Sequence, residues 1–144
     1  MGTSRLRGKK EMKLATFAAG CFWETEETFR ALNGVIDTVV GFMDRAEVVQ
    51  IAFDPAQISY AELLDVFWRS HDITRANPGG LERSAVFFHD GEQEAAAKAN
   101  KESLNASGEF RKPVATEISP ASAFERAPED QQKYLSKQGL ASFE

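Results

Sequence analysis

The sequence predicts an α+β fold, a ferredoxin-like split βαβ two-layer sandwich with C-terminal additions. Three observations predict it. Elements inferred from hydrophobic periodicity and turn signals run β-α-β-β-α-β and then α-β-α, and the first six match the split-βαβ order. Only a few residues separate the second and third strands, so those two form an antiparallel hairpin. The chain has 144 residues, 42% hydrophobic and 27% charged, enough for one domain with a real core.

Each element has its own warrant. "KLATFAAG" (13–20) is an apolar run closed by glycine and reads as a buried strand. Phe22, Phe29 and Leu32 recur at helical spacing, with Glu24, Glu26 and Glu27 between them as a solvated face, and "NG" (33–34) stops that helix. The β-branched "VIDTVVGF" (35–42) and "AEVVQIAF" (46–53) read as the hairpin strands. "SYAE" (59–62) is a capping box, followed by Tyr60, Leu63, Leu64 and Phe67 at i, i+3, i+4 and i+7. "NPGG" (77–80) marks a loop and "RSAVFF" (83–88) a strand. Asp90 and Gln93 cap a helix over 90–104, "VATEIS" (114–119) reads as a short strand, and "APEDQQKYL" (127–135) as a short helix, with Pro128 near its first turn and Tyr134 either packed on the core or set near the functional site.

Composition narrows the function classes. The net charge of −5 argues against a polyanion partner, so no nucleic acid is expected. Apolar runs are far shorter than a membrane span, and nothing resembles a secretory leader. A single cysteine excludes an internal disulfide and makes the reducing cytoplasm the expected location. With only His71 and His89 beside it, no metal centre is expected. Residues 1–11 carry Arg5, Arg7, Lys9 and Lys10 against one acid and read as a disordered tail or expression remnant, with Met12 as the natural start and 12–144 as one domain.

The cysteine is Cys21, in "GCFWE" (20–24), where the first strand hands over to the first helix. There it is either a small core residue or a nucleophile whose thiol pKa is lowered by the unpaired N–H groups of the helix start. Glu47 opens a strand and shares a face with Val49, Ile51 and Phe53. It is either a solvated strand-end acid or a proton donor kept protonated by an apolar setting. Phe22 and Trp23 either join the core or form a pocket for a small apolar group. His71 and Asp72 are assigned no functional role, and the expectation for the histidine is a capping or structural one.

"GCFWE" resembles the "GCFWG" signature of the A-type peptide methionine sulfoxide reductases. The likeness extends over about 14–135 through "AEVVQIAFDPAQISYAELLDVFWRSHD" (46–72), "RSAVFF" (83–88), "ATEI" (115–118) and "QQKYL" (131–135). The resemblance implies that Cys21 attacks the sulfur of methionine S-sulfoxide, free or in peptides. Methionine then leaves and a cysteine sulfenic acid remains. It implies that Phe22 and Trp23 hold the substrate's S-methyl group and that Glu47 protonates its oxygen. No bound cofactor is implied. With no second cysteine, an external thiol must regenerate Cys21, either a thioredoxin- or glutaredoxin-like protein or a small molecule.

The sequence also departs from the family pattern. "GFMDRAE" (41–47) lacks the family's longer hairpin loop, with its tyrosine, and has Arg45 for the histidine of "GHAE". In the shorter "ITRANPGGLERS" (73–84), Pro78 stands for an aspartate and Glu82 for a tyrosine. "PEDQQ" (128–132) lacks the usual tyrosine and histidine. These losses motivate two alternatives: a homologue that only binds methionine or its sulfoxide, or a thiol enzyme for another oxidised substrate.

Overall fold

The computed structural model describes residues 11–139. The tail expected over 1–11 lies outside the described residues, Glu11 apart. In chain order the elements are β1 (Lys13–Ala19), α1 (Phe22–Arg30), β2 (Val35–Met43), β3 (Ala46–Phe53), α2 (Tyr60–Arg69), β4 (Ser84–Phe88), α3 (Gly91–Ala106), β5 (Glu117–Pro120) and β6 (Phe124–Arg126). A 3-10 turn (Glu129–Gln131) and a one-turn helix, α4 (Tyr134–Lys137), follow. The strands form one sheet in the order β5-β4-β1-β3-β2-β6, and among these neighbours only β4 and β5 run parallel. The fold is mixed α+β, and no helix among the described residues is long and apolar enough to cross a membrane.

Alternation along the strands decides which face is dry. Phe17 of β1 and Val49, Ile51 and Phe53 of β3 point to one side, where Phe29 of α1, Leu63, Leu64 and Phe67 of α2 and Ala97 of α3 close the main core. The opposite face carries a smaller cluster of Ala18, Met43, Ala46, Val48, Ala85 and Phe87, against which Ala121 and Phe124 pack. The capping box of α2 forms as expected: Glu62 N–H donates to Ser59 Oγ at 3.0 Å and Ser59 N–H to Glu62 Oε1 at 2.9 Å. Asp90 caps α3 by accepting from Gln93 N–H at 2.8 Å.

The hairpin between β2 and β3 turns on two residues, Asp44 and Arg45, both at positive φ (50° and 63°). That is the twist a two-residue connection between right-twisted strands demands.

Four expectations need correction. The strand expected over 114–119 is Glu117–Pro120, because residues 114–116 do not join the ladder. An edge strand, β6, pairs with Gly41–Met43 of β2 and had no sequence signal. A side chain on Gly41 would meet Glu125 O at 2.2 Å, so the glycine is what lets β6 approach. The helix expected over 127–135 is broken by Lys133 at φ 51°. Finally, Glu26 is not solvated but fully buried, accepting from Thr38 Oγ1 at 2.6 Å and from Lys133 N–H at 2.6 Å. Glu24 is exposed as expected, and Glu27 only partly so.

Candidate active site

β1 ends at Gly20, whose φ of +91° is glycine's territory, and the chain turns there into α1. Cys21 is the N-cap of that helix, with extended backbone and no side-chain capping bond. Its side chain is partly exposed, neither lost in the core nor fully solvated. The turn is braced from within: Thr25 Oγ1 donates to Ala19 O at 3.3 Å and to Cys21 O at 3.1 Å.

β3 delivers Glu47 to the same place. Glu47 Oε1 accepts from Phe22 N–H at 3.1 Å, so the acid rests on the first turn of α1 beside the thiol. Its cross-strand partner is Phe42, whose ring lies 5.6 Å from that of Phe22. Glu47 is half-buried there. A third group joins them: Cys21 Sγ, a Glu47 carboxyl oxygen and a Glu82 carboxyl oxygen all lie within 4.8 Å of one another. Neither histidine belongs to this group, which is an acid–thiol constellation.

Electrostatics follow from that crowding. Burial raises the Cys21 thiol pKa above its ordinary value, the N–H groups of Trp23 and Glu24 pull it down, and Glu47 and Glu82 push it up again. The lowered pKa expected from the helix start alone is thus reversed: the N–H groups are in place, but desolvation and two acids outweigh them. Burial likewise raises Glu47, against the Phe22 N–H bond that lowers it and with help from Glu82. Both shifts run toward the protonated form.

Phe22 and Trp23 take different places. Phe22 is buried in the main core at 6% exposure. Trp23 is half-buried and held on two sides. Its Nε1–H donates to Gln131 Oε1 at 2.9 Å, and its ring stacks on Tyr134 at 3.9 Å and 13°. Tyr134 therefore braces the site rather than the core. The C-terminal segment that supplies it is anchored by Gln132, buried at 2%, which bonds the main-chain N–H and C=O of Val40 and the carbonyl of Ala127. "QQKYL" (131–135) belongs to the resemblance and Tyr134 is one candidate for a place near the site, but no local signal pairs Gln131 or Tyr134 with Trp23, more than a hundred residues away.

Arg45, on the exposed hairpin turn, makes none of these contacts. His71 has a structural role, as expected: its Nε2 is 2.6 Å from Ser84 Oγ, which lies 2.8 Å from Thr116 Oγ1. With Gly20, Asp72, Arg75, Asn77 and Glu82, His71 and Ser84 line a small polar cleft of about 100 Å³ beside the thiol.

Fold and site together define a cysteine-centred α+β protein, in which one thiol at a helix start meets two acids and a braced tryptophan. Comparison with known proteins gives the family. The family model described as peptide methionine sulfoxide reductase matches residues 13–46 and 43–143, two pieces that meet at the Asp44–Arg45 turn. The peptide methionine sulfoxide reductase MsrA of Methanoculleus marisnigri is 44% identical over 153 aligned residues, covering 91% of this chain and 93% of the relative. Mxr1 from Saccharomyces cerevisiae, in reduced form, superposes with a TM-score of 0.78 at 31% identity, over 91% of this chain and 90% of Mxr1. Mxr1 in complex with Trx2 aligns at 32% identity over 88% of each chain, with a TM-score of 0.65. The chain belongs to the peptide methionine sulfoxide reductase family.

Proposed function

We propose that this protein reduces methionine S-sulfoxide, free or in peptides, to methionine through a sulfenic acid on Cys21, and that an external thiol regenerates it. The observation that carries the reading is the meeting of Cys21 Sγ and the Glu47 carboxyl within 4.8 Å, with Glu47 seated on Phe22 N–H. A sulfoxide oxygen leaves its sulfur only if it is protonated. The acid that supplies the proton must therefore sit beside the nucleophile, and burial moves Glu47 toward the protonated form such an acid needs.

The chemistry balances with thiols alone. The Cys21 thiolate attacks the sulfoxide sulfur while Glu47 gives its proton to the oxygen. The oxygen, now a hydroxyl, passes from the substrate sulfur to Sγ, the transient Sγ–S bond breaks with its electron pair going to the departing methionine, and Cys21–SOH remains, so the thiol is oxidised by two electrons and the sulfoxide reduced by two. A first external thiol displaces water from the sulfenic acid to form a mixed disulfide. A second frees Cys21 and leaves as a disulfide. Cys21 is the sole cysteine of the sequence, so both thiols come from outside the chain. The complex of the relative Mxr1 with Trx2 supports a thioredoxin-type donor, and the reducing cytoplasm is the compartment that keeps such donors charged.

In this reading the substrate's S-methyl group rests against Phe22 and Trp23, and the ring of Trp23 is fixed by Gln131 and Tyr134. The order β4-β1-β3-β2 at the centre of the sheet supports a split-βαβ core within a single domain of 12–144, with β5, β6 and α4 as additions.

The test is single-turnover incubation with methionine S-sulfoxide, with mass detection of the protein, followed by multiple turnover with dithiothreitol beside Cys21→Ser. The expected result is one equivalent of methionine and a gain of one oxygen on Cys21, with no turnover from Cys21→Ser. Equal rates from the two proteins, or no oxygen gained by the wild type, would refute it.

A further inference from the structure

Glu82 is the one member of the thiol–acid group that the proposed reaction leaves without a task. Its position is nonetheless fixed from both sides. Leu81 O accepts from Glu47 N–H at 2.7 Å, which joins the residue before Glu82 to the strand end that carries Glu47. Arg83, 4% exposed, locks the residue after it: its guanidinium donates to Gly80 O at 3.1 Å, Asp44 O at 2.8 Å and Glu117 Oε1 at 3.1 Å. Between these two anchors the Glu82 side chain reaches the Cys21 sulfur and the Glu47 carboxyl, yet the residue itself is exposed. Glu47 is half-buried where Glu82 is exposed, so it has the poorer access to water.

Three ionisable groups within 4.8 Å cannot all be anionic near neutral pH without a large repulsion. The Glu82 charge accordingly raises the pKa of both Cys21 and Glu47, at the point where the sulfoxide oxygen needs a proton. Resting on the reading of Cys21 and Glu47 given above, we propose that Glu82 is a positioning acid. It forms the solvent-side half of a carboxyl pair that holds a proton on Glu47 and reloads it from water after each turnover. In the reactive state the pair carries one proton and Cys21 is thiolate. That proton passes to the substrate oxygen as the S–O bond breaks, leaving two carboxylates. Glu82, facing water, takes up the next proton and shares it with Glu47. The other charged groups of the adjoining cleft do not supply this proton. Arg75 offers a guanidinium and no acid, Thr74 holds the Asp72 carboxyl below its usual range, and burial lowers His71, which is neutral at alkaline pH.

The test is the pH profile of the single-turnover rate of Cys21 oxidation for wild type, Glu82→Gln and Glu82→Asp. Removing the charge and the shared proton moves both limbs of the Glu82→Gln profile to lower pH. The rate at about pH 9 falls roughly tenfold relative to wild type, while the maximum changes little. Glu82→Asp, which restores a carboxyl, brings the limbs back toward the wild-type position. Superposable profiles for wild type and Glu82→Gln would overturn the role of Glu82 while leaving the reductase reading intact. A uniform loss across all pH values that Glu82→Asp shares would also overturn it, because that is a packing effect. Absence of Cys21 oxidation in the wild type would instead remove the reductase reading itself.

Discussion

Replacing Glu26 by glutamine tests how the C-terminal segment holds the site together. Glu26 is fully buried on α1, and its two carboxyl oxygens accept from Thr38 Oγ1 and from the main-chain N–H of Lys133, each at 2.6 Å. The Lys133 ammonium stands 3.9 Å away and itself donates to Thr38 O at 3.0 Å. An amide of the same shape keeps one acceptor, for Lys133 N–H, and turns the other into a donor that only the Thr38 hydroxyl can meet, by turning its own proton away into a dry site. Losing a hydrogen bond to a charged acceptor and stranding a buried donor together cost about 2–4 kcal/mol. For a chain of this length that lowers the melting temperature by roughly 10 °C. The bond to Lys133 N–H also fixes the residue whose φ of 51° separates the 3-10 turn from α4 and sets Tyr134 on Trp23. The variant is therefore expected to lose stability in urea unfolding and to show a shifted, less quenched tryptophan emission before unfolding begins. A change below about 0.5 kcal/mol, or an unaltered native emission spectrum, would refute this account of Glu26.

Two further outcomes follow from the site. Because burial raises the Glu47 pKa, folding favours its protonated form. The stabilising contribution is complete below the ordinary carboxyl range and is lost as pH rises through the folded-state value, so Glu47→Gln should unfold at higher urea than wild type at about pH 7, with the gap closing at about pH 4. Trp23→Phe removes the bond to Gln131 and shrinks the ring stacked on Tyr134. It should raise KM for methionine S-sulfoxide several-fold while the single-turnover rate at saturation stays within about twofold, a split that steady-state and single-turnover kinetics can read.

Up to α3 the fold was legible because its signals are local and periodic. The alternation of Glu47, Val49, Ile51 and Phe53 placed an acid at the rim of an apolar face, and those three apolar residues do form the core. Ser59 and Glu62 announced a helix start that the hydrogen bonds then made. What stayed hidden depends on long-range partners. Glu26 looked like one of three solvated acids, since nothing beside it in sequence reveals a clasp to Lys133, 107 residues on. β6 is three residues long and owes its place to the absence of a side chain at Gly41. The break at Lys133 is a left-handed residue that is neither glycine nor asparagine, so no composition rule marks it. At the site, strand-to-helix placement located Cys21 and its N–H donors, but not the sign of the thiol's shift. That sign is set by burial and by acids 26 and 61 positions away.

The guanidinium of Arg83 works as a rivet through three layers of chain: the hairpin tip at Asp44, the loop at Gly80 and the sheet margin at Glu117. Two of the three fastenings, those to Asp44 and Glu117, join segments that meet only once the sheet has closed. The acidic wall beside the sulfur consequently exists only in the fully assembled protein, and it shares the fate of the outermost strand. If that margin peels away, Cys21 keeps its place at the head of its helix but faces an oxidant without its acidic neighbour.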